Sequence, residues 1–553
     1  MTTKSLFRNH LAILILIVFC LSVFLLRLKF FSKQDFLLGY DSANYAAVAD
    51  NITKGRGFCV DFVLNFNKKY PEVSHPEDRR LSINSVLIAF VFLFAGKTIL
   101  AAKLLNIFLG SLSLPLTTYS LARSLQLPKV LGLFAGLSVV VVHNLSEQTH
   151  TALADLLFAQ FFLLFSISLI KRGVSPRWHY ATGIFVGFSF LSKTQGIFLL
   201  PIWFFHCLFI EKNYALFKTK YFIGGFVICM FLMVPFLSRN YYLFKDPFYS
   251  TIKHNAGFDE LFDTKPLAFL ERYLKVYWDD KPPDYLTEIR NKGLSSNFKK
   301  VAQQIINAVR MIGYPLLILS VVSLFFLNRK KVGGLLCVIA IYVLAISVFF
   351  AFHQRYEIPT IPLLIVLSWS VIYYVITPIF NYNYFQGYDA SRKMLIICIL
   401  FSVVFCAVHK NDLKLFVRGF DRPTLPFQES LIDLAKWAKT NLPSSAVVMT
   451  HDPPLFNFYS GLKAVEIPYD SVEAMKKVVS HYRISHAIPW TVDRERYLNL
   501  SRSGLGSNIN ILELNPSIPY GNLQKLVKQK EATPLYSNRN LTIYTLEVPL
   551  KPQ

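Results

Sequence analysis

Tyr40-Asp41-Ser42-Ala43-Asn44-Tyr45 follows directly on the first apolar segment and runs on through Ala46-Ala47-Val48-Ala49-Asp50-Asn51 to Gly55-Arg56-Gly57-Phe58. Its spacing predicts a short helix carrying Asp41, with Tyr45 and Ala49 following at one-turn intervals, closed by the glycines. The helix places a carboxylate a few residues beyond the membrane surface. The rest of the chain reads as a scaffold around that acid.

Membrane embedding comes from composition and pattern together. The 553 residues are 53% hydrophobic and only 17% charged, with mean hydropathy +0.39. A soluble domain is less apolar and more charged. The apolar residues fall in long runs between short basic loops, as in a multi-span membrane protein. The net charge of +24 would suggest nucleic-acid binding in a soluble protein, but here the excess sits where cytoplasmic loops are expected to be basic.

The runs are Leu11–Leu26, Leu104–Leu121, Val130–Val142, Ala152–Ile170, Ala181–Leu191, Gly196–Ile210, Tyr221–Leu237, Met311–Leu327, Val332–Phe352, Ile358–Ile376 and Leu395–Val408, about eleven transmembrane helices. No small-x-small cleavage site follows the first, which therefore reads as an uncleaved span. Leu81–Ala95 reads as a helix lying at the interface, because counting it as a span would invert the charge bias of every later loop. The same bias puts the N-terminus in the cytoplasm, with 28–98, 239–310 and 409–553 outside.

The tail from 409 changes character. Glu429–Thr440 and Ser471–His481 read as helices; Ala446–Met449, Ile484–Ile488 and Leu541–Leu546 read as strands. The expected fold is mostly α, a polytopic membrane domain over 1–408 and a small extracytoplasmic α/β domain over 409–553. The seven cysteines form no CxxC pair or zinc-ligand spacing. No P-loop, GxSxG or HExxH motif is present, so ATP-driven or soluble-cofactor chemistry is not indicated.

Five charged residues are the candidates for chemistry. Asp41 and Asp155 fall on the outer side of the expected topology, and so do the cations Lys193, Arg239 and Arg355. A solvated surface acid, a helix-start acid favoured by the macrodipole and snorkelling cations are the ordinary readings. As a set they also suit group transfer, in which cations hold a phosphate and acids activate a hydroxyl or bind a metal. His75-Pro76-Glu77-Asp78-Arg79-Arg80 is either a headgroup contact or a solvated turn, the latter favoured for Glu77 and Asp78.

At these residues the chain resembles the GT-C superfamily of integral-membrane glycosyltransferases, near the protein O-mannosyltransferase and aminoarabinose transferase group. The resemblance rests on Asp41, Tyr45 and Gly55-Arg56-Gly57-Phe58; on Asp155 heading a span; and on Leu191-Ser192-Lys193. It continues through Pro235–Pro247 with Arg239, Asn240 and Phe244, and through Arg355-Tyr356 with Pro359. Ser42 stands where that family often has a second acid, and Leu81-Ser82-Ile83 replaces its Pro-Pro-Leu.

The resemblance implies transfer of a sugar from a polyprenyl-phosphate carrier to a lipid, glycan or protein acceptor on the outer face of the cell's inner or plasma membrane. It makes Asp41 the general base or a metal-binding acid, and Asp155 a second catalytic or metal-binding acid. Lys193, Arg239 and Arg355 become donor-phosphate ligands, with Tyr45, Tyr356 and His75 lining the substrate. It leaves open a divalent ion, Mg or Mn. A transporter or flippase of lipid-linked sugars, or a non-catalytic membrane scaffold, is the alternative; a transporter would need mid-membrane acids and inverted repeats, which are not evident.

Overall fold

The structure is a computed structural model. It describes residues 3–250 except 35, 38–39, 67, 80–81, 173 and 213. It then describes Trp278, 302, 305–306, 314–349, 354–376, 390–418, 426–468, 470–489, 517–538 and 541–547. Most of the long loop expected after 239 lies outside the described residues.

Helices stand over every predicted run. They are α1 (Thr3–Phe31), α2 (Tyr40–Thr53), α3 (Ile83–Ala95), α4 (Ile99–Phe108), α5 (Leu114–Ser124), α6 (Lys129–Val141), α7 (His143–Gln148), α8 (Asp155–Arg172), α9 (Trp178–Ser192), α10 (Leu199–Phe205) and α11 (Lys220–Phe244). They continue as α12 (Tyr314–Val322), α13 (Arg329–Phe349), α14 (Ile361–Ile376), α15 (Ala390–Val408) and α16 (Lys410–Arg418). Among the described residues, four stretches are long and apolar enough to cross a membrane: Leu11–Phe31, Ile99–Ser124, Lys220–Phe244 and Lys330–Ser347.

Between lipid-facing helices the hydrophobic effect offers little, so close packing and hydrogen bonds must hold the bundle. The crossing of α9 and α11 shows how. A Cβ on Gly183 would overlap the Gly225 carbonyl, and one on Gly225 would overlap the His179 carbonyl. Both obstacles are backbone, which cannot rotate away. Gly183→Ala is therefore expected to destabilise the protein by roughly 3 kcal/mol. Gly333→Ala, where a Cβ meets nothing within 4 Å, is the control; thermal unfolding in detergent distinguishes the two.

The helix expected over Leu81–Ala95 is α3. Ser82 caps it, its hydroxyl accepting from the Asn84 amide. One face, with Ile88, Ala89 and Phe92, is buried; Phe90, Leu93 and Phe94 are exposed. Beneath it α2 presents Ala43, Ala46, Ala47 and Ala49, all nearly inaccessible. These small side chains let α3 lie close. Gly55 and Gly57, at φ 73° and 70°, turn the chain out of α2 through the left-handed region that L residues avoid.

The tail contains α17 (Pro426–Asn441), β4 (Val447–Thr450), α18 (Pro453–Ser460), β5 (Lys463–Glu466), α19 (Val472–Tyr482), β6 (His486–Ile488), α20 (Ser517–Lys528), β7 (Ala532–Ser537) and β8 (Thr542–Leu546). The first loop adds β1 (Cys59–Val60), β2 (Phe62–Val63) and β3 (His75–Pro76). The main sheet has the order β2-β5-β4-β6-β8-β7. Its first four strands are parallel; β8 lies antiparallel to β6, and β7 antiparallel to β8. The edge strand β2 thus comes from some 400 residues upstream, pairing Phe62 with Ala464 and Val63 with Val465. Ala43, Ala46, Phe62, Leu434, Ala435, Val448 and Phe456 share one core, so the first loop and the tail pack as a single layer.

Candidate active site

Asp41 sits in the first turn of α2, where an acid complements the helix dipole. It is only 8% exposed. Arg355, in the turn before α14, donates from Nη1 to its Oδ2 at 3.1 Å, and Arg79 Nη2 lies 3.9 Å from its Oδ1. Burial alone would make Arg355 easier to deprotonate. Asp41 and then Asp155 outweigh it and hold the guanidinium above its ordinary value.

Asp155 starts α8 and is 3% exposed. Lys193 Nζ donates to its Oδ1 at 2.7 Å. Lys193 is placed by the break between α9 and the 3-10 turn Thr194–Phe198, and its ammonium lies 5.1 Å from the centre of the Tyr356 ring. The two acids, which come from separate parts of the sequence, are therefore joined through Arg355, Tyr356 and Lys193.

Other candidates have different surroundings. Arg239 donates from Nη2 to the carbonyls of Phe58 and Glu77 at 3.1 and 3.2 Å and from Nη1 to Asn240 Oδ1 at 3.2 Å. It ties α11 to the first loop, a use the phosphate-ligand expectation did not include. His75 stacks on Tyr70 at 3.9 Å; its Nδ1 and Nε2 meet the carbonyls of Pro76 and Phe62 at 2.9 and 3.1 Å. Those contacts fix the loop, and give a structural reason for a histidine that was expected to line the substrate. Tyr45 is 4% exposed, one turn beyond Asp41. Glu77 and Asp78 are buried, at 1% and 9% exposure; the solvated-turn reading of these two does not hold. Asp78 accepts from the Tyr70 hydroxyl at 2.8 Å, and a Glu77 oxygen accepts from the Arg79 amide at 3.0 Å.

The donor set gives no ready cation cage. Among the described residues no group of three or more His, Cys, Asp or Glu lies together. Asp41 and Asp155 each hold a cation, Arg355 and Lys193, so a divalent ion there would share these carboxylates with them.

Sequence reasoning passed over Glu357, two residues after Arg355. It is 1% exposed, and both carboxyl oxygens lack a hydrogen-bond partner among the described residues. Burial pushes its carboxyl up to about 8. A native pKa above the unfolded one means that the folded protein binds more protons across the interval between them. Glu357 therefore contributes most below about pH 4.5 and subtracts stability as pH rises toward 8. Glu357→Gln is expected to remove that slope and raise the free energy of unfolding at pH 8, by an amount on the order of a few kcal/mol. Unfolding midpoints at pH 5 and pH 8 for both proteins check this.

Comparison with known proteins fits this architecture. Residues 83–238 match the family model of dolichyl-phosphate-mannose-protein mannosyltransferases. Among solved structures, the archaeal oligosaccharyltransferase AglB from Archaeoglobus fulgidus, in complex with an inhibitory peptide and a dolichol-phosphate, superposes with TM-score 0.61 at 13% identity. That match covers 87% of this chain and 69% of AglB. ArnT from Cupriavidus metallidurans, bound to undecaprenyl phosphate, superposes with TM-score 0.54 at 13% identity over 98% of this chain and 99% of its own. No curated protein sequence matches the chain. The chain shares the overall fold of AglB and ArnT. The segment from α3 into α11 carries the sequence pattern of that family model.

Proposed function

We propose that this protein is a membrane glycosyltransferase that moves a sugar from a polyprenyl-phosphate carrier to a hydroxyl-bearing acceptor on the outer face of the membrane. The reading is carried by the buried arrangement Asp41–Arg355 and Asp155–Lys193 at the junction of the helices and the first loop. The phosphate-linked lipids in the AglB and ArnT structures support the class of donor.

In this reading the acceptor oxygen attacks the anomeric carbon as its bond to the carrier phosphate breaks. The proton passes to Asp41 and the electron pair leaves with the phosphate. Arg355 and Lys193 move toward the phosphate, whose charge grows as it leaves, and stabilise it in a site with little water. Asp155 holds Lys193 in position beside Tyr356. The helices α1, α4–α6 and α8–α15 form the spanning body with the N-terminus cytoplasmic, and the tail sheet sits outside as a roof. The exposed Phe90, Leu93 and Phe94 of α3 rest in the lipid headgroup region, as a short helix with one apolar face does.

Purified protein incubated with a labelled polyprenyl-phosphate sugar and a mixed acceptor fraction tests the proposal. Release of free carrier phosphate with label on an acceptor supports it. Movement of intact donor across the bilayer without release would favour the transporter instead.

A further inference from the structure

The exposed face of α3 ends in charge. Val86, Phe90, Leu93 and Phe94 recur at helical spacing, and their exposure rises from 39% at Val86 to 78% at Phe94 in the last turn. The helix stops at Gly96, and the next residue is Lys97. An apolar stripe of this kind calls for an apolar partner.

Lys97 has a companion. Its Nζ lies 2.9 Å from Asp50 Oδ2, and Lys54 Nζ lies 2.8 Å from the same oxygen. Asp50 belongs to the last turn of α2, and Lys54 is the first residue after that helix. α2 and α3 pack on one another, so the two helix ends bring an ammonium each to a single carboxylate oxygen. Two cations share one anion, and the charges do not balance. The acid is the withdrawn member: its side chain is 12% exposed, against 51% for Lys54 and 30% for Lys97. An ammonium has three N–H groups. Lys54 spends one on Asp50; Lys97 spends one there and lies 4.8 Å from the centre of the Phe458 ring. The pair keeps donors and a net positive charge where the apolar stripe ends. A zwitterionic headgroup brings its own cation and gains little here. An anionic headgroup brings a phosphate with nothing to offset it.

We propose that the ends of α2 and α3 form a site for an anionic glycerophospholipid, with its phosphate between the Lys54 and Lys97 ammonium groups and its acyl chains along Phe90, Leu93 and Phe94. This rests on α3 lying at the membrane surface, as in the reading above, and not on the transfer chemistry. A lipid held there fastens both helices to the membrane surface, including α2, which carries Asp41 in its first turn.

Phe94→Trp in mixed vesicles of phosphatidylcholine and phosphatidylglycerol identifies the occupant. Quenching beyond that of the protein's own tryptophans is measured with bromine on the chains of one lipid or the other at equal mole fraction. The binding constant for phosphatidylglycerol relative to phosphatidylcholine is expected to be about five, the worth of one uncompensated charge at a lipid surface, and to approach unity in about 0.5 M salt. Adding Lys54→Gln and Lys97→Gln should abolish the preference. Adding Asp50→Asn instead, which keeps both lysines, should raise it about fivefold again; if the lysine variant does not fold, this comparison decides. Equal constants for the two lipids, or a preference that neither set of substitutions moves, would overturn the proposal. Displacement of the brominated phosphatidylglycerol by polyprenyl phosphate at far lower mole fraction would give the site to the carrier and overturn it as well. If neither lipid quenches Phe94→Trp, α3 lies away from the membrane and the interfacial reading falls together with this inference; quenching without preference removes the inference alone.

Discussion

Asp41→Asn is expected to lower sugar transfer by about a thousandfold, within the usual range for removing a positioned base. The amide is nearly the same size and can still accept a hydrogen bond from Arg355, so the turn before α14 should hold. It cannot take a proton from a hydroxyl. The guanidinium of Arg355 keeps a second acid, Asp155, within reach, which limits the cost of losing the first. Single-turnover release of carrier phosphate measures the rate, and detergent unfolding reports whether the protein is intact. Near-normal release from a stable Asp41→Asn protein would remove Asp41 from the mechanism.

Lys193→Met should have the largest effect on stability. Asp155 and Lys193 are 4% and 15% exposed at the side chain and 2.7 Å apart. Taking away the ammonium leaves a buried carboxylate without that cation, a loss of about 3–5 kcal/mol. Replacing both, as Lys193→Met with Asp155→Leu, removes the charge imbalance and should return most of the stability. Transfer should not return, because in the proposed reaction the phosphate has lost a ligand. Unfolding midpoints of the single and double variants, read beside turnover, separate the two roles. A double variant that regains transfer would show that the pair serves structure alone.

The parts of this architecture that were legible in the sequence depend on local pattern. Tyr40–Thr53 is a helix because alanines, Asp41 and terminal glycines say so within a few residues. The apolar runs announce helices in the same way, and so do the tail elements at 429–440 and 471–481. Asp41, Asp155, Lys193 and Arg355 stand out as candidates because charge is conspicuous beside apolar runs. What escaped depends on pairing across the chain. Phe62–Val63 is two residues long and is a strand only because Ala464 and Val465 lie alongside. Arg79 reads as part of a polar turn, yet its side chain is 8% exposed beside Asp41. Asp452 precedes two prolines and reads as a turn; that it caps a helix lying on α2 follows only from the fold. Arg239 was noticed for its charge, but backbone carbonyls at 58 and 77 are invisible as partners in a sequence.

The upstream strand β2 also sets an order of assembly. A ribosome making this chain delivers Phe62 and Val63 long before their partner at 463–466 exists. Until those last hundred residues emerge, the loop after Asp41 has no edge to join and α2 lacks α18 beneath it. A nascent or prematurely terminated chain would hold its helices around an unfinished centre, so the buried cluster around Asp41 is completed only when synthesis is nearly complete.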